Sequence, residues 1–125
     1  MDMAKPLIFY VDDDRDVLSS LRAGLESRGY AVLTAESGTE ALVLLKQQMP
    51  AVIIADLRMQ PMNGFELFQE IKKIPKLAGI PFFFLTAVDD FLAQKYGHTL
   101  GVDAYITKPV DLDNIDQLIK NALAK

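Results

Sequence analysis

LIFYVDDDRDVLSSLRAGL, residues 7–25, decides the fold, because its period changes part-way through. Leu7 to Val11 is an unbroken apolar run rich in β-branched and aromatic side chains, which reads as a strand. Continuity rather than alternation marks a parallel strand buried on both faces. Three acids follow, Asp12, Asp13 and Asp14. Val17, Leu18, Leu21 and Leu25 then recur every three or four residues, the spacing of a helix with one buried face, and Gly29 supplies its stop.

The same alternation continues to the C-terminus with no linker and no repeat. Apolar runs at Tyr30–Ala35, Ala51–Ala55, Ile80–Leu85 and Val102–Ile106 predict four more strands, and AVIIA and IPFFFL share the unbroken character of LIFYV. Helical spacing recurs over 38–48 (Ala41, Leu42, Leu45), opened by Ser37 and ended by Pro50. It returns over 64–74 (Phe65, Leu67, Phe68, Ile71) and over 111–124 (Leu112, Ile115, Leu118, Ile119) behind an Asp111 cap. The segment 89–100 is the weakest helix, since Gly97 interrupts it and Phe91, Leu92, Tyr96 and Leu100 only partly share a face. Five strands alternating with five helices predict an α/β, flavodoxin-like doubly wound fold, a five-stranded parallel sheet of order 2-1-3-4-5 with helices on both faces. A ligand site is then expected at the carboxyl ends of the strands, near the reversal between strands 1 and 3.

Composition narrows the function. With 125 residues, half of them hydrophobic and 24% charged, the whole chain, 1–125, reads as one globular domain, residues 1–5 being a flexible N-terminal extension. Thirteen Lys and Arg against 17 Asp and Glu give a net charge of −4, which argues against direct nucleic-acid binding. The absence of Cys excludes disulfides, thiolate metal sites and Cys nucleophiles, and is compatible with a reducing cytoplasm. The apolar runs are far shorter than the roughly 20 residues that span a bilayer, and the start, MDMAKP, lacks the apolar stretch of a secretory signal. A cytoplasmic protein with no membrane partner is expected.

The strand ends carry the chemistry. Strand 1 runs into Asp12, Asp13 and Asp14, strand 3 into Asp56, strand 4 into Thr86, and strand 5 into Thr107, Lys108 and Pro109. In the predicted order these four strands are neighbours, so carboxylates, a hydroxyl and an ammonium converge on one edge. Packed carboxylates repel one another unless they take up protons or hold a cation, and oxygen ligands of this kind suit Mg²⁺. A carboxylate beside a metal, a Lys and a hydroxyl is equipped to accept a phosphoryl group as an aspartyl phosphate.

The segments VDDD, ADLRM, LTA and AYITKP resemble, in this order and at spacings of 30 residues from Asp56 to Thr86 and 22 from Thr86 to Lys108, the receiver domain of two-component response regulators. The resemblance implies that Asp56 accepts the phosphoryl group, that Asp13 ligates Mg²⁺ (or Mn²⁺) directly, and that Asp12 helps to hold the ion through water. It implies the Arg58 backbone carbonyl as a further ligand, Thr86 and Lys108 as contacts to the phosphoryl oxygens, and room for them at Ala87. Tyr105 becomes the aromatic that reorients with Thr86, and Lys108–Pro109 a cis peptide. The resemblance also implies that Arg58 and Val88 hold positions that tune how fast water removes the phosphoryl group. The implied partners are a histidine kinase or histidine phosphotransfer protein upstream. Downstream lies a target protein or an output domain outside this chain, bound through the face around the fourth and fifth helical segments and the fifth strand. Such a module is a signalling switch that catalyses its own aspartyl phosphorylation and slow dephosphorylation, rather than a metabolic enzyme. The loop after Asp56 departs from the family's usual form: Gln60 stands where Pro is usual, Pro61 comes one place late, and Asn63 replaces a second Asp.

Other readings compete. Asp14 reads best as a helix cap, and His98 as a surface residue with no role. Asp12 and Asp14 have the Asp-x-Asp spacing of a haloacid dehalogenase-type phosphatase with Asp12 as nucleophile, but Asp16 stands where that family expects Thr or Val. A flavin-binding protein needs hydroxyls and free N–H groups after strand 1, where three acids stand instead. A degenerate receiver, binding proteins without phosphoryl chemistry, would not need the complete set of residue types found here.

Overall fold

A computed structural model describes residues 5–87 and 101–124. The predicted helix over 89–100, with Val88 and His98, and most of the predicted N-terminal extension lie outside the described residues. Five parallel strands, β1 (Leu7–Val11), β2 (Ala31–Ala35), β3 (Val52–Asp56), β4 (Phe82–Ala87) and β5 (Ala104–Lys108), form one sheet in the order β2-β1-β3-β4-β5. The described helices are α1 (Arg15–Glu26), α2 (Gly38–Leu44), α3 (Gly64–Lys72) and α4 (Leu112–Leu123). The three unbroken apolar runs are the three central strands, covered on both sides, whereas the more mixed β2 and β5 are the edges.

Alternation along each strand divides the core in two. On one face Phe9, Val11, Ile53, Ala55, Phe82 and Phe84 pack with Ala41 and Leu45 from the α2 segment and with Leu67, Phe68 and Ile71 of α3. On the other, Ile8, Tyr10, Val52, Ile54, Leu85 and Ile106 pack against Leu18, Leu21 and Leu25 of α1 and Ile115 and Ile119 of α4.

Caps fix where the helices start. Asp14 accepts hydrogen bonds from the N–H groups of Asp16 and Val17, Ser37 from Glu40, and Asp111 from Asp113 and Asn114. Asn63, in place of the usual second Asp, makes a full capping box with Glu66 at the start of α3. There Gly64 is required by space: a Cβ on it would lie 2.7 Å from the Asp56 carbonyl oxygen and 2.9 Å from Leu57 Cα. The helices end earlier than their apolar spacing suggests, α2 at Leu44 rather than 48 and α3 at Lys72 rather than 74. Their last turns tighten into bonds such as Gln47 N–H to the Leu44 carbonyl and Ile74 N–H to the Ile71 carbonyl.

Two strands are displaced from their predicted bounds. β4 and β5 begin two residues later and end two residues later than the apolar runs at 80–85 and 102–106. Ile80 is turned back by a bond from its N–H to the Leu77 carbonyl, and the Asp103 carboxylate takes the Phe82 N–H at 2.8 Å. At the other end parallel pairing continues through Thr86↔Thr107 and Ala87↔Lys108. Asp56, Thr86 and Lys108 therefore belong to the strands themselves, not to the loops after them, so backbone hydrogen bonding holds their Cα positions. Both Lys108–Pro109 and Gln60–Pro61 are cis, the second being the local form of the departure after Asp56.

Candidate active site

The sheet register sets the site. Val11 pairs with Ala55, and Asp56 pairs with Leu85, which brings the acids that end β1 and β3 side by side. Carboxylate oxygens of Asp12, Asp13 and Asp56 lie within 4.8 Å of one another. Lys108, from the end of β5, reaches across with its Nζ 3.4 Å from Asp56 Oδ1 and 3.7 Å from Asp12 Oδ2.

The three acids are not equivalent. Asp13 is exposed, Asp56 is 6% exposed, and Asp12 is wholly buried. Asp12 is also the most bonded: its Oδ1 accepts the Asp14 N–H at 3.0 Å, and its Oδ2 accepts the Tyr10 hydroxyl. Burial, that hydrogen bond and the neighbouring acids push the Tyr10 phenol far up, so the hydroxyl keeps its proton and acts as donor. Burial pushes Asp56 up to about 6, and the charge of Asp12 adds to the rise; the Lys108 ammonium and a backbone hydrogen bond at Arg58 oppose it. At neutral pH Asp56 is therefore mostly an ionised carboxylate, held in a site that disfavours its charge.

Thr86 and Tyr105 stand apart from this cluster. Thr86 follows the parity of Phe82 and Phe84, is fully buried, and donates a long 3.4 Å bond to the Ala87 carbonyl. Tyr105 pairs with Phe84 in the sheet, with ring centroids 5.6 Å apart, and joins the α2–α3 side of the core. The structure thus brings Asp12, Asp13, Asp56 and Lys108 together, while strand parity sets Thr86 of β4 and Tyr105 of β5 on the opposite face of the sheet. Ala87 is the exposed last residue of β4.

Tyr10 was missed by reading the sequence, because within LIFYV it counts only as an aromatic strand residue. The available signal was parity: Tyr10 precedes Asp12 by two, so their side chains share one face of β1.

Comparison with known proteins decides the family. The family model "Response regulator receiver domain" matches residues 8–120. The chain belongs to the response regulator receiver family. The receiver is 41% identical to transcriptional regulatory protein GlrR of Escherichia coli K12 over 116 residues, which cover 93% of this chain and 26% of that protein. It is 34% identical to protein PilH of Pseudomonas aeruginosa over 122 residues, covering 98% of this chain and 99% of PilH. Among solved structures, a putative response regulator from Chloroflexus aurantiacus aligns with a TM-score of 0.91 at 30% identity over 97% of this chain and 99% of that one. The chemotaxis response regulator CheY4 of Vibrio cholerae aligns at 0.87 and 25% identity, covering 96% and 100%. The receiver spans only about a quarter of GlrR and about half of the response regulator Rre1 of Synechocystis.

As a receiver domain, the chain is a signalling switch module of two-component signal transduction, of a family that binds Mg²⁺ in an acidic pocket. The donor set fits such an ion: three carboxylates of hard oxygen character within reach of a single centre. The phosphatase alternative gains no support, since Asp12 has no exposed surface and both its oxygens are engaged. Among the described residues no helix is long and apolar enough to cross a membrane.

Proposed function

We propose that this receiver takes a phosphoryl group from a phosphohistidine onto Asp56 and uses the change to alter a protein-binding face. The observation that carries the proposal is the convergence of Asp12, Asp13 and Asp56 oxygens within 4.8 Å, with Lys108 Nζ 3.4 Å from the Asp56 carboxylate. An Asp56 oxygen attacks phosphorus, the P–N bond to the donor imidazole breaks, and the imidazole leaves with the bonding pair and takes up a proton. The reverse problem, loss of the phosphoryl group to water, is the slow second activity of the same residues.

Asp12, Asp13, Asp56 and the Arg58 carbonyl would hold Mg²⁺, or Mn²⁺ in its place. When bound, the ion supplies positive charge against the oxygens of the transferring group. Lys108 gives a second positive charge on the Asp56 side and would move from its ion pair to the phosphoryl oxygens as Asp56 becomes an acyl phosphate. Thr86, one residue beyond the register of Asp56, turns its hydroxyl towards the new phosphoryl oxygens, and Tyr105 follows into the space this leaves. The donor is a histidine kinase or histidine phosphotransfer protein, the receiver of the signal a target protein or an output domain outside this chain, and the setting the cytoplasm. The match covers 26% of GlrR and 99% of PilH, which is compatible with either arrangement.

Intact mass after incubation with Mg²⁺ and acetyl phosphate tests the reading. One phosphoryl adduct is expected, absent without metal and absent in Asp56→Asn. No adduct on a folded protein would favour a degenerate receiver, and an adduct persisting in Asp56→Asn would move the nucleophile elsewhere.

A further inference from the structure

Ile8, Tyr10 and Asp12 occupy alternate positions at the end of β1, so their side chains line one face, under α1 and α4. Tyr10 is completely buried, and its ring fills core space while its hydroxyl meets the one wholly buried acid of the site. A carboxylate swings about its last torsion unless something holds it, because that torsion is broad. Here two hydrogen bonds and an ion pair hold it: the Tyr10 hydroxyl donates to Oδ2, the Asp14 N–H donates to Oδ1, and the Lys108 ammonium faces Oδ2. Lys108 is the weakest of these constraints, being 3.7 Å away and closer to Asp56.

We propose that Tyr10 is a positioning residue that locks the Asp12 carboxylate in one orientation and thereby sets the preference of the acidic site for Mg²⁺ over Ca²⁺. The inference rests on the reading of Asp12, Asp13 and Asp56 as the Mg²⁺ site. A small ion demands near-octahedral geometry and keeps several waters, whereas Ca²⁺ takes more oxygens, at longer distances and often both from one carboxylate. With each Asp12 oxygen already accepting a hydrogen bond, one lone pair per oxygen remains. Such a carboxylate holds a metal-bound water in one fixed direction, which suits the near-octahedral, water-keeping shell of Mg²⁺ better than the larger, looser shell of Ca²⁺. Removing the hydroxyl frees the carboxylate to turn without touching the ring that packs the core.

Isothermal titration of the full chain with MgCl₂ and, separately, CaCl₂ provides the test. In Tyr10→Phe, Mg²⁺ affinity is expected to fall about tenfold, the low end for loss of a hydrogen-bonded partner around a metal site. Ca²⁺ affinity should change far less, so the Mg²⁺/Ca²⁺ ratio narrows. An unchanged Mg²⁺ affinity overturns the proposal, and so does an equal fall for both ions, which is general structural damage. Absence of Mg²⁺ binding by the unmodified chain overturns the underlying metal site together with it. A second measurement does not need Tyr10→Phe to fold. Mg²⁺ should perturb the near-ultraviolet tyrosine absorption of the unmodified protein, and the perturbation should survive in Tyr30→Phe, Tyr96→Phe and Tyr105→Phe alike. Its absence, or its loss in any of those three variants, assigns the response away from Tyr10 and overturns the lock.

Discussion

The face of the sheet under α2 and α3 is built largely of aromatic carbon, whereas the face under α1 and α4 is mostly aliphatic and ends in charge. On the first, Phe65, Phe68, Phe82, Phe84 and Tyr105 make a chain of edge-on and tilted ring contacts with centroids 5.0 to 5.9 Å apart. On the second, Tyr10, Asp12 and Lys108 continue the parity of the core strands into the acidic cluster. One face is shaped for cohesion, the other for reaction. The proposed switch residues, Thr86 and Tyr105, lie at the reactive edge of the sheet but on the cohesive face.

The contrast breaks most visibly at Phe84, which is fully buried and touches four other rings. Phe84→Ala should cost about 3–5 kcal/mol, a large share of the stability of a domain this size, as urea unfolding would measure. A loss below about 1 kcal/mol would mean that the aromatic face collapses around the gap, and that its cohesion is not local.

The reactive face should show the opposite sign. Asp56 has a folded pKa of about 6 against an ordinary 3.8, so its contribution to stability is complete below pH 3.8 and is lost as pH rises through 6. Asp56→Asn removes a charge the fold disfavours, and should stabilise the metal-free protein above pH 6 by about 1–2 kcal/mol. The advantage should close towards pH 4. Excess Mg²⁺ should reverse the ranking, because an ion that binds only the folded state stabilises the unmodified chain selectively. Thermal melts from pH 4 to 8, with and without Mg²⁺, give both comparisons; equal stability of the two proteins at pH 7.5 without metal would remove the strain assigned to Asp56.

Much of this division was legible in the sequence. Unbroken apolar runs identified the three central strands, and the acids and ammonium expected at the ends of β1, β3 and β5 are the groups that the fold gathers. Apolarity failed where polar groups set the boundaries: the Asp103 carboxylate binds the Phe82 N–H, and pairing runs on through Thr86 and Lys108. It failed again at Tyr10, whose ring belongs to the core and whose hydroxyl belongs to the site. Composition counts a residue once, while an amphipathic side chain acts twice.

Lys108 offers the smallest change in stability and the finest test of how the faces communicate. It ends an edge strand and its side chain is partly exposed, so Lys108→Ala should leave the sheet intact. In the metal-free protein its loss removes an influence that lowers the Asp56 pKa, which should therefore rise above about 6, as carbon NMR titration of the carboxyl would record. A pKa that stays in place would show that the 3.4 Å ion pair carries little electrostatic weight. Tyr105 lies three residues before Lys108 on β5, hence on the opposite face, so among the described residues this strand and Thr86 on β4 are candidate routes from the proposed Asp56 phosphoryl group to the Tyr105 ring. If Lys108→Ala abolishes the phosphorylation-induced shift of Tyr105 resonances while Asp56 is still modified, β5 carries the coupling. If the shift persists unchanged, the Lys108 side chain does not carry the coupling, and Thr86 becomes the next residue to test.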